Sequence, residues 1–182
     1  MAYIKTIEPG EACGVLKELY ERFSNPDGTV DHVMTAHSLN PASLEAHLGL
    51  YVQAMHKPGA LPRVERELAG VIVSMVNGCR YCMTHHARGL RRLLPEDRRG
   101  MVDEVLARNI AGLTDREQAI VGFAEALTAR PAEMSREDID ALRAHGFDDL
   151  AVLDLVQVIG YFAYANRVVL GLGVELEANG DG

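Results

Sequence analysis

Residues 62–94 have the sequence PRVERELAGVIVSMVNGCRYCMTHHARGLRRLL, and this stretch decides the fold class. Pro62 is typical of the first turn of a helix. The apolar residues after it recur at helical spacings of one, three and four, at Val64, Leu68, Val71, Ile72 and Met75. The pair Asn77-Gly78 predicts the end of this helix, and a second helix follows at once, from about Cys79 to Leu94. The β-branched run 71–73 lies inside this helical pattern, so it predicts helix rather than strand.

The same helical period continues on both sides of this stretch. One amphipathic stripe follows Pro9 and another follows Asn40-Pro41. Thr114 with Glu117 predicts a capping box at the start of a further helix. A long and very apolar helix, which we expect to be buried on most sides, is predicted from Asp148 to about Leu170. We find no confident strand, so the sequence predicts an all-α, multi-helix bundle.

The length and one short repeat bear on domain organisation. The chain has 182 residues, which suits one domain, and we predict a single helical domain over residues 1–182 with its motif core at 62–94. Arg66-Glu67-Leu68-Ala69 is echoed about fifty residues later by Arg116-Glu117-Gln118-Ala119, each ahead of an apolar helix. Four residues also recur by chance, so a duplicated helical unit and a coincidence both stay open.

The overall composition disfavours several classes of protein. Hydrophobic residues make up 48% and charged residues 24%, which is typical of a globular chain rather than a disordered one. The net charge of −8 and the lack of Trp disfavour a nucleic-acid partner. The first residues, MAYIKTIEPGEA, lack the apolar core of a secretory signal, and the most apolar stretch, Leu68–Val76, is too short to cross a bilayer. We therefore expect a cytoplasmic protein with no membrane partner.

The residues suited to chemistry are concentrated at 79–86, where Cys79-Arg80-Tyr81-Cys82 is followed by His85-His86. On a helix Cys79, Cys82 and His86 fall on one stripe, and His85 points away from it. Cys79 directly follows the expected helix end, so it lies at the start of the next helix, where free backbone N–H groups and the helix dipole favour a thiolate.

The free energy needed for a reactive thiol suggests a role for the histidine. Lowering a thiol pKa from about 8.5 to about 6.5 needs about 2.7 kcal/mol. A helix N-terminus supplies at most about 2 kcal/mol, and a charge-assisted hydrogen bond from His86 would add about 1.5–3 kcal/mol. The two together suffice, which makes His86 a candidate partner of the cysteines.

Several interpretations compete for these residues. A c-type haem site needs His directly after the second Cys, and residue 83 is Met. A thioredoxin-like site needs a strand before its CxxC, which the helical period disfavours. A zinc site could use Cys79, Cys82 and one of the two histidines, with Glu67 or a distant His as fourth ligand. Two buried structural cysteines are a further alternative, and a dithiol redox pair is the interpretation that we favour. Cys13, on a predicted amphipathic helix, is expected to be inert packing.

Residues 62–91 resemble the signature of the alkylhydroperoxidase D-like family, within the carboxymuconolactone decarboxylase superfamily. That signature has a Glu twelve residues before a CxxC that opens the next helix, and a His four residues after the second Cys. Its positions and spacings are matched by Glu67, Cys79, Cys82 and His86. The helix at 114–128 and the long helix around Asn166-Arg167 are more loosely similar to the peroxidase-related branch of this family.

The resemblance implies an all-α fold, a homo-oligomer (dimer, trimer or hexamer) and thiol-dependent reduction of a hydroperoxide, with no cofactor and no metal. It implies that Cys82 attacks the peroxide and that Cys79 resolves the sulfenic acid to a disulfide. Glu67 and His86 would form a proton relay. The reductant would be a dithiol, of the lipoyl type or a thioredoxin-like protein, which we expect to meet Cys79.

Two features complicate this assignment. Tyr81 stands where the best-studied members carry a second His. The position of Cys79 at a helix start favours it as the more acidic thiol, whereas the family assigns the attack to Cys82.

Two other functions stay open at this point. One is a metal-stabilised helical binding module without turnover, and the other is a carboxymuconolactone decarboxylase-like enzyme. The decarboxylases of cyclic lactones in the superfamily lack the cysteine pair, so the CxxC argues against their chemistry. The remaining histidines of interest are expected at the surface or as caps, at His32, His37, His47 and His56.

Overall fold

The computed structural model describes residues 2–177, and the regular elements among these residues are all helices, with no β-strand. The α-helices are α1 (Gly14–Phe23), α2 (His32–Thr35), α3 (Pro41–Met55), α4 (Arg63–Val76), α5 (Arg80–Leu93), α6 (Met101–Leu106), α7 (Asp115–Ala129), α8 (Arg136–Ala144) and α9 (Asp149–Leu172). Short 3₁₀ turns lie at Pro9–Glu11, Glu96–Arg98 and Pro131–Glu133. The predicted all-α class is confirmed, and so is the capping box of Thr114 and Glu117 at the start of α7.

The chain forms two compact units. Of the described residues, one unit consists of 2–52 together with 167–177, and the other is Gln53–Asn166. The four residues of the sequence signature all lie in the second unit. A single domain over residues 1–182 and a duplicated helical unit stay predictions.

The first unit has an apolar core of its own. Its buried residues are Leu16, Leu19, Tyr20, Met34, Leu44 and Leu48. The expectation of a surface position is wrong for His37 and His47, because both are buried with their ring centroids 4.5 Å apart. Nδ1 of His37 does contact the carbonyl of Val33 in α2, at 2.7 Å, as a capping side chain would. His47 shares a face of α3 with the core leucines, and burial lowers its pKa to about 4. Cys13 is exposed rather than packed, since it precedes the first turn of α1.

The second unit is organised around α4. Residues 66–74 of this helix are all buried, and α5 and α7 pack against it. Arg66 donates from Nε to the carbonyl of Leu61 at 2.7 Å and from Nη1 to the carbonyls of Ala54 and Lys57 at 3.0 Å. It also pairs with Asp154 of α9 at 3.5 Å. The buried guanidinium thereby satisfies carbonyls at the end of α3 that have no helical partner.

α9 is the one helix in the described part of the chain that is long and apolar enough to cross a membrane by length and composition alone. Core helices of soluble proteins meet the same test, and α9 has Leu155 and Phe162 fully buried. The expected burial on most sides is wrong, however, because apolar residues also line its exposed face, at Leu150, Leu153, Val156, Tyr164 and Leu170. A helix that is apolar all round does not reveal in sequence which face the core takes.

Candidate functional site

A tight turn places the first cysteine. Gly78, just beyond α4, has a φ of +68°, a left-handed conformation that glycine adopts without strain. The N–H of Cys79 donates to the carbonyl of Ser74 at 2.8 Å and closes the turn. Cys79 is thus the N-cap of α5, and Cys82 lies one helical turn later. The predicted helix break at Asn77-Gly78 is confirmed.

Cys79 and Cys82 are both free thiols and both buried, at 1% and 6% exposure. A hydrogen bond from the Cys82 thiol lowers the pKa of Cys79 to about 7, against the opposing effect of burial. The same hydrogen bond raises the pKa of Cys82, and burial raises it further. The first negative charge of the pair therefore rests on Cys79, the sulfur at the helix N-terminus.

Glu67 of α4 and His86 of α5 meet directly. Nδ1 of His86 donates to Oε2 of Glu67 at 2.7 Å, and the two side chains are 15% and 3% exposed. An ionised carboxylate can only accept, so a neutral His86 carries its proton on Nδ1 and keeps Nε2 as a base. His86 lies four residues after Cys82 and therefore on the same face of α5.

Glu67 is ionised although it is buried. Burial raises the pKa of a carboxyl group, but hydrogen bonds from His86 and from Nη2 of Arg63, at 3.0 Å, outweigh it. The pKa of Glu67 is therefore held below its usual value. Gly89 of α5 leaves room for the carboxylate, since a Cβ there would lie 3.2 Å from Oε2. The carboxylate thus fills the gap between the two helices.

An aromatic ring from α9 contacts the imidazole. Phe162 is fully buried and meets His86 edge to face, with centroids 4.5 Å apart and an interplanar angle of 88°. Such a contact favours one ring orientation over others. Between Phe162 on one side and Glu67 on another, the imidazole has a defined plane.

The Glu67–His86 pair has a polar extension that was not predicted from the sequence. Arg63 donates from Nη1 to Nδ1 of His56 at 3.0 Å while Nη2 holds Glu67. Burial and then the charge of Arg63 lower the pKa of His56, which keeps its Nδ1 an acceptor. The spacing of Arg63 and Glu67, four residues apart on one helix, was the available signal.

A cluster of polar side chains next to the cysteines was also not predicted from the sequence. Asn77 donates from Nδ2 to Oδ1 of Asn166 at 2.9 Å, and Nδ2 of Asn166 donates to Oγ of Ser74 at 3.2 Å. While Cys79 and burial raise the pKa of Cys82, a hydrogen bond from Asn166 acts the other way. The available signal was Asn166, a single amide in an otherwise apolar helix. A buried amide needs hydrogen-bonding partners, so this residue indicates a polar cluster.

The other motif residues have different surroundings. His85 packs its ring against Tyr81, with centroids 4.5 Å apart, and Tyr81 is buried. Within residues 2–177, no group of three or more His, Cys, Asp or Glu side chains is arranged to hold a metal ion. α4 and α5 thus carry two neighbouring groups, the hydrogen-bonded pair of Glu67 and His86 and the two free thiols of Cys79 and Cys82.

Comparison with known proteins identifies related sequences and folds. Residues 41–126 match the model of the Carboxymuconolactone decarboxylase family. The chain is similar to the structure of an uncharacterized peroxidase-related protein from Silicibacter sp. TM1040, with a TM-score of 0.83 and 29% identity over 91% of this chain and 86% of that one.

Two further similarities extend this result. An uncharacterized peroxidase-related protein from Ralstonia eutropha JMP134, described as an alkylhydroperoxidase AhpD core, has the same fold, with a TM-score of 0.89 and 24% identity over 98% of this chain and 94% of that one. The uncharacterized protein YdfG of Bacillus subtilis (strain 168) is 26% identical over 119 residues, which are 64% of this chain and 79% of that protein.

Proposed function

We propose that the chain, which belongs to the carboxymuconolactone decarboxylase superfamily, is an alkylhydroperoxidase D-like, thiol-dependent peroxidase. It reduces hydroperoxides through a dithiol–disulfide cycle of Cys79 and Cys82. The observation that carries the proposal is the 2.7 Å hydrogen bond between Glu67 and His86, one helical turn from a buried pair of free thiols.

Family and fold support either a peroxidase-related or a decarboxylase-like function. The cysteine pair favours the first. A thiol with a pKa of about 7, such as Cys79, is substantially ionised at neutral pH and ready for redox chemistry. The decarboxylases of cyclic lactones lack such a pair, and their reaction leaves a thiolate without a role.

The first step prepares the attacking sulfur. Nε2 of His86 takes one proton from the cysteine pair, and Glu67 stabilises the imidazolium that forms. One proton is left between the two sulfurs, and at rest it lies on Cys82. Attack begins when this proton moves along the existing hydrogen bond to Cys79 and leaves the negative charge on Cys82.

The second step reduces the peroxide. The Cys82 sulfur forms a bond to the terminal peroxide oxygen, the O–O bond breaks, and the sulfur loses two electrons to become a sulfenic acid. The alkoxide that leaves takes the proton of the His86 imidazolium and departs as an alcohol. His86 is then neutral and can act as a base again.

The third step forms the disulfide. His86 takes the proton of Cys79, whose thiolate attacks the Cys82 sulfur, and the leaving hydroxide takes that proton to become water. The sum is one hydroperoxide and two thiols converted into one alcohol, one water and one disulfide. A dithiol restores the pair through Cys79. Because both sulfurs are buried, a slender lipoyl-type arm suits this access better than the surface of a thioredoxin-like protein.

Peroxide consumption with a dithiol donor tests the proposal. Cys82→Ser is expected to abolish turnover, and Cys79→Ser is expected to react with one equivalent of peroxide and stop as a sulfenic acid that dimedone traps. Cys13→Ser is the matched control and is expected to keep the full rate, since Cys13 is exposed and lies in the other unit. Normal turnover by Cys82→Ser would exclude the proposed attack.

A further inference from the structure

Asn166 is a buried polar group without a part in the steps above. Its side chain is 0% exposed, and a buried amide costs free energy unless its donors and acceptor are used. Oδ1 accepts from Asn77 at 2.9 Å, and one Nδ2 hydrogen goes to Ser74 Oγ at 3.2 Å. A hydrogen bond from the Asn166 side chain also lowers the pKa of Cys82, and since Oδ1 cannot donate, the donor to this sulfur is the amide nitrogen. Both the oxygen and the nitrogen of the amide therefore have partners.

The orientation of this amide follows from its neighbours. The Ser74 hydroxyl has one proton, and it donates that proton to the Gly70 carbonyl at 2.7 Å. Ser74 can then only accept from Asn166, so the atom facing it must be Nδ2. Turning the amide over would bring Oδ1 against an oxygen with no proton left to give. The nitrogen of Asn166 is thereby held on the side of the cysteines.

A hydrogen bond donated to sulfur is worth more when the sulfur is charged. An N–H aimed at a thiol meets a weak acceptor, and the same N–H aimed at a thiolate makes a charge-assisted bond. Among the side chains that act on Cys82, Cys79 opposes its ionisation and Asn166 favours it. Asn166 therefore counteracts the preference of the pair for charge on Cys79.

We propose that Asn166 is a thiolate-stabilising residue, whose amide N–H holds the negative charge on Cys82 while this sulfur attacks. The role in attack rests on the proposed peroxidase function. At rest the shared proton lies on Cys82, and Asn166 lowers the free energy of the alternative arrangement in which the charge has moved to Cys82. The buried amide of Asn166 thereby favours attack by Cys82, although Cys79 is the more acidic thiol.

A titration of one thiol tests the hydrogen bond. Protein with Cys13→Ser and Cys79→Ser keeps Cys82 as its single cysteine, and its ultraviolet thiolate absorbance reports the Cys82 pKa. Adding Asn166→Leu, which keeps the size and removes the donor, is expected to raise that pKa by about one unit, or about tenfold less thiolate at a given pH. Asn166→Asp, which replaces the donor by a charge of the same sign as the thiolate, is expected to raise it more.

The control is Val169→Ala, a truncation of another buried residue three positions further along α9. It loosens packing without touching the amide, so the Cys82 titration is expected to stay in place. An equal shift in Val169→Ala and Asn166→Leu, or none in Asn166→Leu, would overturn the proposal. If both Asn166 variants fail to fold, NMR of the unchanged Asn166 side chain decides. Its Nδ2 hydrogens must shift with the Cys82 titration, and a constant resonance overturns the proposal.

These titrations need no peroxide, so the two proposals can fail separately. If the unchanged protein consumes peroxide but the Cys82 pKa does not depend on Asn166, the role of Asn166 is contradicted and the proposed peroxidase function still stands. If the Cys82 pKa depends on Asn166 but the protein consumes no peroxide, the proposed peroxidase function is contradicted, and so is the role of Asn166 in the attack.

Discussion

The ring of Phe162 occupies the space that a side chain at Gly70 would need: a Cβ built on Gly70 overlaps the aromatic carbons. Glycine in the middle of a helix normally lowers stability by about 1 kcal/mol relative to alanine. Gly70 lowers the stability of α4 in this way, but it allows Phe162 of α9 to approach α4 closely. The same ring contacts His86, so the glycine acts on the imidazole through Phe162.

Gly70→Ala is therefore expected to destabilise the protein by about 1–3 kcal/mol, because the added methyl group overpacks the contact. Displacing Phe162 also loosens His86, so peroxide reduction is expected to slow. Gly122→Ala on α7 is the matched control, since nothing lies within 4 Å of its added Cβ. It is expected to be neutral or to stabilise. Urea unfolding of both variants measures the difference, and equal stabilities would contradict the packing argument.

Glu67→Gln and His86→Gln are each expected to slow peroxide reduction about 10²–10⁴-fold, the usual contribution of a positioned acid–base group. Both proteins should still fold and still form the disulfide under strong oxidant. Glu65→Gln removes another acid of α4, which pairs with Arg116 at 2.7 Å, and is expected to keep the rate. Stopped-flow measurements compare the rates of peroxide reduction of the three variants. Near-normal rates in both Glu67→Gln and His86→Gln would contradict the proton relay and indicate that Glu67 has only a structural role.

The pH dependence of the Cys79 thiolate has a defined sign. Its pKa is lowered to about 7 by the Cys82 thiol, so the thiolate is present above that pH and is lost as the pH falls through it. In a Cys13→Ser background, Cys82→Ala removes the donor and is expected to return the pKa of Cys79 toward 9. Cys82→Ser keeps a hydroxyl donor, so the pKa of Cys79 in this variant is expected to lie between that of the unchanged pair and that of Cys82→Ala. Ultraviolet titration measures both, and identical midpoints would show that the neighbouring side chain has no effect.

Cys79 and Cys82 are expected to interconvert between dithiol and disulfide, while Cys13 stays reduced. The first two lie one helical turn apart with their sulfurs in hydrogen-bonding contact, and Cys13 lies exposed before α1. Mild peroxide followed by alkylation and peptide mass mapping identifies the pairs. If Cys79 and Cys82 stay fully alkylatable after excess oxidant, the redox pair is excluded.

A homo-oligomer is expected because α9 exposes apolar residues that water disfavours. Leu153→Asp, at a position that is 50% exposed, is expected to weaken the assembly. Leu93→Asp changes an exposed leucine of α5 and serves as the comparison. Light scattering at micromolar concentration gives the mass, and a value near the 19.9 kDa of one chain for the unchanged protein would rule the oligomer out.

The helices could be predicted because their signals are local. Pro62, the spacing of the apolar residues and Asn77-Gly78 define α4 and its end within a few residues of chain. The reactive residues could be chosen for a similar reason, since Cys79, Cys82 and His86 share one face of one helix. Their spacing alone fixes that relation.

Contacts between helices could not be predicted in the same way. The pairing of Glu67 with His86 depends on how α4 and α5 cross and on the space that Gly89 leaves, and neither follows from periodicity. Asn166 is separated from Ser74 by 92 residues, so only the fold brings the two together. The exposed face of α9 was hidden because its apolar residues point in every direction.

The amide of Asn166 also affects which redox state the folded protein prefers. An amide N–H makes a stronger hydrogen bond to a thiolate than to a neutral sulfur. Only the reduced pair can carry a negative charge on Cys82, so the hydrogen bond from Asn166 stabilises a form that the disulfide lacks. The Cys79–Cys82 disulfide should therefore have a more oxidising reduction potential than an unstrained structural disulfide.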